Sequence, residues 1–221
     1  MSRVLVLRPE PGATQTVERA RERGLDAFAA PLFVLQPVAW QAPEASSFDG
    51  LLLTSANAVR CGGDQLRKLR GLKAYAVGEA TAEAVGEAGF DIAATGDSGV
   101  DRLLGSIEPD LRLLHLCGAD RRSPDDARQD ITAIVVYRSE EVDAPELSAA
   151  QGSVALIHSP RAGHRFAELV ADRKTISIAA ISDTAAEAVG AGWKAVEAAD
   201  APTDGALLAL AARLCNNSQP K

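Results

Sequence analysis

Short apolar runs alternate with amphipathic segments along nearly the whole chain. Continuous apolar runs, such as residues 4–7 and 51–53, are typical of strands that are covered on both faces of a parallel sheet. Many of the segments between the runs have helical periodicity, and several begin at Ser or Thr and end at Gly, as helices do. This alternation predicts a doubly wound α/β architecture with parallel sheets.

The pattern assigns most of the chain to elements. The predicted strands cover residues 4–7, 48–54, 73–77, 91–94, 111–117, 132–137, 154–158, 175–181 and 194–198. The predicted helices cover residues 14–23, 55–69, part of 76–90, 100–107, 124–129, 160–171, 184–190 and 204–214. Residues 27–38, which contain Pro31 and Pro37, and the charged residues 138–145 are expected to be connectors or edge segments. Helix 124–129 has almost no apolar face and is the weakest of these predictions.

Three blocks of sequence recur at an offset of 104 residues. Residues 51–58 match 155–162, the 76–90 stretch matches 180–193, and Leu103-Leu104 matches Leu207-Leu208. A period of this length predicts two similar domains that arose by internal duplication. Each copy of the second block combines a strand end, a small-residue turn and a helix start, and helix starts favour anions. We therefore expect paired lobes around one acidic ligand.

Ligands of open α/β sheets bind at the carboxyl ends of the strands. The predicted strand ends and helix starts carry groups suited to binding an anion, and few that are suited to acid–base chemistry. These residues are Arg8, Thr54, Ser55, Gly78, Thr81, Gly118, His158, Ser159, Arg161, Ser182 and Thr184. For any single hydroxyl, such as that of Ser55, Ser159 or Thr184, a simple helix N-cap is the alternative.

Composition and charge exclude several classes of function. A net charge of −7 argues against nucleic acid and membrane surfaces as partners, because both require clustered positive charge. The start of the chain does not resemble a signal peptide and no stretch of 18 apolar residues occurs, so we expect a cytoplasmic protein. The widely spaced Cys61, Cys117 and Cys215 are expected to be thiols.

Standard catalytic motifs are missing from the sequence. The first strand is not followed by Gly-x-Gly-x-x-Gly, and there is no P-loop, Gly-x-Ser-x-Gly or His-Glu-x-x-His motif. His115 is expected to pack in the core and His164 to lie on a helix surface, which leaves His158 as a candidate ligand contact. The histidines lack metal-ligand spacing, so neither a metal nor a cofactor is expected.

The motifs together resemble those of the uroporphyrinogen III synthase family. The resemblance rests on six short stretches, at residues 4–9, 53–57, 76–82, 135–138, 157–161 and 180–184, in the family's order along nearly the whole chain. It implies two similar flavodoxin-like lobes joined by a two-stranded β linker. The first lobe would comprise residues 1–33 and 140–221, the second residues 38–134, and the linker strands residues 34–37 and 135–139.

The resemblance also implies a reaction. The family closes linear hydroxymethylbilane to uroporphyrinogen III, with loss of water and inversion of the last pyrrole ring, and uses no cofactor. Its substrate is a tetrapyrrole polycarboxylate, which would bind in an interlobe cleft. A transient contact with the preceding pathway enzyme and a monomeric state are further expectations.

By resemblance, Tyr137 assists departure of the hydroxide, because a phenol with a pKa of about 10 is a proton donor at neutral pH. Ser55, Thr81, Ser159 and Ser182 match family positions that face the cleft, and Arg161 is the expected cationic partner of a substrate carboxylate. Asn57 and Glu79, which lie within the matching motifs, complete the set of candidate substrate-binding residues.

The sequence departs from the family pattern at three positions. Cys117 stands where an arginine is usual, which removes a cation unless Arg121 or Arg122 replaces it; Asn57 and Ala185 also replace typical residues. An alternative function is therefore a non-catalytic two-lobed binding or regulatory protein for a small anionic ligand. Formation of the type III isomer from hydroxymethylbilane distinguishes the enzyme from the binding protein.

Overall fold

The fold is given by a computed structural model that describes residues 3–97, 99–121, 124 and 126–217. Contacts divide the chain into two compact units. Unit 1 comprises Met1–Val34 and Glu141–Lys221, and unit 2 comprises Leu35–Glu140. The chain therefore leaves unit 1 near residue 34 and returns to it near residue 141.

The elements alternate as expected for an α/β protein. In chain order the strands are β1 Val4–Val6, β2 Ala27–Ala29, β3 Phe33–Pro37, β4 Gly50–Leu53, β5 Lys73–Val77, β6 Ile92–Gly96, β7 Arg112–Gly118, β8 Asp130–Glu141, β9 Val154–Ile157, β10 Ser177–Ala180 and β11 Ala195–Ala198. The α-helices are α1 Gly12–Glu22, α2 Ala56–Cys61, α3 Gly63–Arg67, α4 Glu79–Glu87, α5 Val100–Ser106, α6 Pro160–Leu169, α7 Asp183–Ala188 and α8 Asp204–Asn217.

Unit 1 is built on a parallel sheet with the order β2-β1-β9-β10-β11. In chain order this is 2-1-3-4-5, the order of flavodoxin-like sheets, whose switch point lies between the first and third strands. Apolar side chains from α6 and α7 cover one face, where the ring of Phe166 stacks on Trp193 with centroids 5.3 Å apart. Helices α1 and α8 cover the other face. The switch point of unit 1 is thus between β1 and β9.

Unit 2 is built on a sheet with the order β3-β8-β7-β4-β5-β6. Strands β4 to β8 pair in parallel, and β3 is an edge strand next to β8. Its larger core cluster contains the fully buried Leu51, Leu53 and Leu69, and a smaller cluster around Leu103 and Leu113 lies under α5. The switch point of unit 2 is between β7 and β4.

The predicted repeat is visible in the positions of the elements. Strands β4 and β9 begin at Gly50 and Val154, which are 104 residues apart, and α5 and α8 begin at Val100 and Asp204, also 104 apart. Strands β7 and β8 of unit 2 have the same places in the sheet as β1 and β2 of unit 1. Each unit therefore has the same spatial order of five parallel strands. The predicted fold class, α/β with parallel sheets, is confirmed.

Two predicted helices are wrong. Helix 55–69 is two helices, because the chain breaks at Gly62 and Gly63, where Gly63 has a φ of 59°. The predicted helix 124–129 is absent from described residues 124 and 126–129, because the segment has no apolar face to bury. Segment 27–38, expected to be a connector or edge segment, forms the edge strands β2 and β3, one in each sheet, on either side of Pro31. Strand β8 extends to Glu141, into residues 138–145 that the sequence predicts to be a connector.

Within the described parts of the chain, no helix has the length and apolar character needed to cross a bilayer. Cys61, Cys117 and Cys215 are reduced thiols, and the last two are buried.

Candidate functional site

In unit 2, Tyr137 lies against the carboxyl ends of β7 and β4. Its ring lies directly over Gly118, where a Cβ atom would be 2.7 Å from Cζ and 2.9 Å from the phenolic oxygen. The phenolic oxygen also forms a hydrogen bond with Ser55, the N-cap of α2. The structure therefore brings three sequence-predicted residues, Tyr137, Ser55 and Gly118, into contact.

The surroundings of Tyr137 keep its phenol protonated. Burial raises the pKa of Tyr137, the hydrogen bond with Ser55 opposes this, and Asp120 adds to the increase. Ser55 Oγ accepts a hydrogen bond from the backbone N–H of Asn57 at 3.2 Å, so its own proton can go to the phenolic oxygen. This orientation lets the phenol donate its proton to another group.

The neighbouring Thr54 is held by a buried histidine. Thr54 Oγ1 lies 3.1 Å from Nε2 of His115, which is only 2% exposed on β7. Burial, with the nearby charge of Arg121, lowers the pKa of His115 to about 4, so the ring is neutral at pH 7. The prediction that His115 packs in the core is confirmed, and the structure adds its role in fixing the Thr54 hydroxyl.

The buried His115 predicts an acid-dependent stability of unit 2. In the unfolded chain a histidine binds a proton below about pH 6.5, whereas the folded His115 does so only near pH 4. The unfolded state therefore binds more protons between these values, and the free energy of unfolding falls by about 3 kcal/mol as the pH is lowered through this window. We expect His115→Phe to remove this part of the pH dependence in urea unfolding curves measured from pH 7 to pH 4.

Thr54→Val is the matched control for His115→Phe. It loses the same hydrogen bond, worth about 1 kcal/mol, but keeps a buried His115. The pKa of His158 in unit 1 is also lowered by burial and contributes in the same direction in every variant. An unchanged pH dependence in His115→Phe would show that the protonation of His115 does not limit stability.

Backbone N–H groups at the end of β5 are less available to a ligand than the sequence predicts. The N–H of Gly78 donates to Gly96 O at 2.7 Å, and that of Thr81 donates to Gly78 O at 3.1 Å. The side chain of Thr81 is 5% exposed, whereas Glu79 is exposed in the first turn of α4. At this corner Glu79 is therefore the sequence-predicted side chain that solvent reaches, and Thr81 mainly packs.

Arg121 partly replaces the cation that is lost because Cys117 stands where an arginine is usual. The side chain of Arg121 forms a hydrogen bond with Cys117, whose pKa is raised by burial and lowered again by this contact. The other proposed substitute, Arg122, lies outside the described residues. A guanidinium thus remains at the carboxyl end of β7.

In unit 1 a polar cluster lies at the switch point between β1 and β9. Asp204, in the first turn of α8, accepts hydrogen bonds from Thr16 Oγ1 at 2.9 Å, Arg19 Nη1 at 3.1 Å and His158 Nε2 at 3.3 Å. Arg8 Nη1 lies 3.8 Å from the same carboxylate. Sequence-predicted Arg8 and His158 are therefore brought together, but by an acid that does not lie at a strand end.

The charges of this cluster follow from its burial. Burial raises the pKa of Asp204, but the hydrogen bonds from His158, Thr16 and Arg19 outweigh it, and the pKa is held below its usual value. Burial lowers the pKa of His158, and Asp204 partly opposes this. Asp204 is thus ionised, and His158 donates to it through Nε2, so that ring nitrogen is not available to a ligand.

The remaining strand-end residues of unit 1 act as helix caps. Ser159 Oγ accepts from Ala162 N at 3.2 Å, and Ser182 Oγ accepts from Ala185 N at 3.4 Å. Ser182 Oγ and Thr184 Oγ1 are also 3.0 Å apart. These contacts agree with the simpler N-cap interpretation of both serines, and one proton of the Ser182–Thr184 pair is used in their mutual hydrogen bond.

Arg161, in the first turn of α6, is exposed, and its guanidinium lies over the ring of Phe33, 4.5 Å from the centroid. A cation in this position is attracted by the face of the ring.

The roles of Thr16, Arg19, His115 and Asp204 in these clusters were not predicted from the sequence. One feature of the sequence could have indicated Asp204, because an acidic residue stands where the second copy of the repeat begins its last helix. No comparable feature indicated Thr16 or Arg19. Among the described residues no group of three His, Cys, Asp or Glu side chains could hold a metal ion. The chemistry that these strand ends offer is hydrogen bonding, positive charge and one protonated phenol.

Comparison with known proteins identifies the family. A sequence profile described as uroporphyrinogen-III synthase HemD matches residues 14–209. The chain belongs to this family. The resemblance found in the sequence is thereby confirmed. A curated relative, uroporphyrinogen-III synthase of Chlorobaculum parvum, is 31% identical over 101 residues, which are 42% of this chain and 41% of the relative. The match to that relative thus spans about two-fifths of its length.

Solved structures of the family share the fold. Uroporphyrinogen-III synthetase from Helicobacter pylori 26695 aligns with 97% of this chain and 100% of its own, with a TM-score of 0.65 and 18% identity. A mutant uroporphyrinogen III synthase from Thermus thermophilus aligns with 98% of this chain and 100% of its own, with a TM-score of 0.51 and 16% identity. These two likenesses support the α/β fold with parallel sheets.

Proposed function

We propose that this protein converts hydroxymethylbilane to uroporphyrinogen III, with loss of water and inversion of the terminal pyrrole ring. The observation that carries the proposal is the family match over residues 14–209. Tyr137, held by Ser55 and Gly118, supports it by supplying a protonated phenol at a strand end.

In this mechanism the pyrrole's own electrons expel the hydroxyl group. The C–O bond breaks, Tyr137 donates its proton to the departing oxygen, and water leaves. The pyrrole N–H gives up its proton, which restores the phenol and leaves an azafulvene. The far pyrrole then attacks through its substituted carbon to give a spiro intermediate. The original bond to that carbon breaks, which forms a second azafulvene, and this closes on the free α-carbon of the inverted ring, which loses a proton. Most of the catalytic task is to hold the two ends of the chain in this geometry, which is catalysis by proximity.

Groups from both units are proposed to bind the same polycarboxylate substrate. Arg8, Arg161, Ser159, Ser182 and Thr184 would contribute from unit 1. From unit 2 the side chains of Thr54, Ser55, Asn57 and Glu79 and the backbone at Gly78 and Gly118 would contribute, and Thr81 would shape the site by packing. Because the protein carries a net charge of −7, attraction of the substrate must be local. Charge-assisted hydrogen bonds contribute about 1.5–3 kcal/mol each, so a few of them are enough to bind the substrate. Binding between the two units is part of the proposal.

An isomer assay tests the proposed function. Hydroxymethylbilane, generated in situ by the preceding pathway enzyme, is incubated with the purified protein, and the oxidised porphyrins are separated by chromatography. We expect the type III isomer to exceed type I, while the same mixture without the protein gives the spontaneous type I product. If the protein binds the bilane but leaves only type I, the chain is a binding or regulatory protein and the proposed enzymatic function is wrong.

A further inference from the structure

The guanidinium of Arg8 is held on the backbone of the first turn of α1. A Cβ atom at position 12 would lie 2.5 Å from Arg8 Nε, 2.8 Å from Cζ and 2.9 Å from Nη2. The guanidinium therefore lies against Gly12, in space that any other residue at this position would fill. This contact fixes the plane of the guanidinium, while the side chain of Arg8 remains 36% exposed.

The side chains of Thr16 and Asp204 also hold the Arg8 guanidinium in place. Thr16 Oγ1 accepts a hydrogen bond from Arg8 Nη1 at 3.5 Å and donates its own proton to Asp204 Oδ1 at 2.9 Å. Asp204 Oδ1 also lies 3.8 Å from Arg8 Nη1. Thr16 is fully buried and the side chain of Asp204 is 15% exposed, so both groups are rigidly placed. Arg8 is thus supported by α1 and α8 together.

We propose that Thr16 and Asp204 are positioning residues that hold Arg8 on Gly12 as the docking group for one substrate carboxylate. The inference rests on the proposed function only in its choice of a polycarboxylate ligand. Three observations carry it: Gly12 leaves room for the guanidinium, the Thr16 hydroxyl links it to Asp204, and the cluster lies at the switch point of the unit 1 sheet. A guanidinium that is already oriented loses less conformational entropy when a carboxylate binds.

The role of Asp204 can be distinguished from a simple charge effect. By Coulomb's law alone, removal of a negative charge next to Arg8 strengthens the binding of an anion. If Asp204 positions Arg8, its removal weakens binding instead. Gly12→Ala gives a second distinction, because it changes no charge and alanine favours a helix more than glycine does. The added methyl group would displace the flexible end of Arg8 without unfolding α1.

Titration calorimetry with uroporphyrin I, a stable octacarboxylate, tests the inference. We expect Gly12→Ala, Asp204→Asn and Arg8→Met each to weaken binding about tenfold, the value of one charge-assisted hydrogen bond. In the Arg8→Met background, Asp204→Asn is expected to weaken binding no further, because Asp204 affects binding only by positioning Arg8. Urea unfolding checks that each variant folds, and Thr16→Val replaces Asp204→Asn if the latter does not.

Two control variants match the size of these changes. Gly105→Ala adds a methyl group on α5 that meets nothing within 4 Å, and Glu197→Gln removes the ion pair of Glu197 with Arg213 of α8. Both are expected to bind the probe like the wild type. Wild-type affinity in Gly12→Ala and Asp204→Asn, tighter binding by Asp204→Asn, or a wild type that does not bind the probe would overturn the inference. A wild type that binds but forms no type III isomer would overturn only the proposed function.

Discussion

Tyr137→Phe is expected to lower the turnover of hydroxymethylbilane at least tenfold, since a general acid typically contributes about 10²-fold or more. The variant removes the oxygen that accepts from Ser55 and the proton that would go to the departing hydroxide. Because burial raises the pKa of Tyr137, the wild-type phenol is fully protonated at neutral pH, and this activity should not fall as the pH rises from 6 to 8. The free energy of unfolding should fall by only about 1 kcal/mol, the value of one hydrogen bond.

The only other tyrosine in the sequence provides the control. Tyr75 lies on β5, where it pairs with Leu52 of β4 and packs over Gly50, within the sheet of the same unit. Tyr75→Phe removes a half-buried phenolic oxygen in the same way, but away from the strand ends, and should keep the wild-type rate. Initial rates in the isomer assay, with the ratio of type III to type I, compare the two variants. A near-normal rate for Tyr137→Phe would remove this phenol from the mechanism.

Much of the fold could be predicted because it depends on local patterns. Strand Lys73–Val77 was assigned with its observed bounds, and the 104-residue repeat predicted which elements would correspond. The two errors have different causes. Gly63, in the left-handed region, divides a helix that the apolar pattern presents as continuous. Segment 124–129 has no apolar face, so it gains little from packing as a helix.

The candidate site was predictable only in part. The rule that ligands bind at strand carboxyl ends selected Arg8, Ser55 and Gly118, because that rule depends only on where strands end. It could not reveal that Asp204 joins Arg8, since the hydrogen bond that links Asp204 to Thr16 spans 188 residues of sequence. Nor could it show that His158 is engaged by that acid. Contacts made by distant side chains follow from packing, which the periodicity of one segment does not record.

Gly118→Ala is expected to reduce turnover by nearly as much as Tyr137→Phe, about tenfold, because it displaces the phenol without changing any polar group. Gly118 and Tyr137 are neighbours on β7 and β8 at a β-bulge, and a Cβ atom at position 118 would lie 2.7 Å from Cζ of the ring. The φ of Gly118 is not in the left-handed region, so the cost arises from this contact and not from backbone strain. Overpacking of this kind lowers the free energy of unfolding by about 1–3 kcal/mol.

Gly50→Ala is the matched control for Gly118→Ala, because it places a methyl group 2.5 Å from the ring of Tyr75 in the same sheet. It should destabilise unit 2 to a similar extent in urea unfolding but leave the initial rate of type III formation close to that of the wild type. In the Tyr137→Phe background, Gly118→Ala should reduce the rate little further, since the group that it displaces is already gone. Equal rates for Gly118→Ala and Gly50→Ala would mean that the position of Tyr137 does not matter, because the two variants differ chiefly in which tyrosine they move.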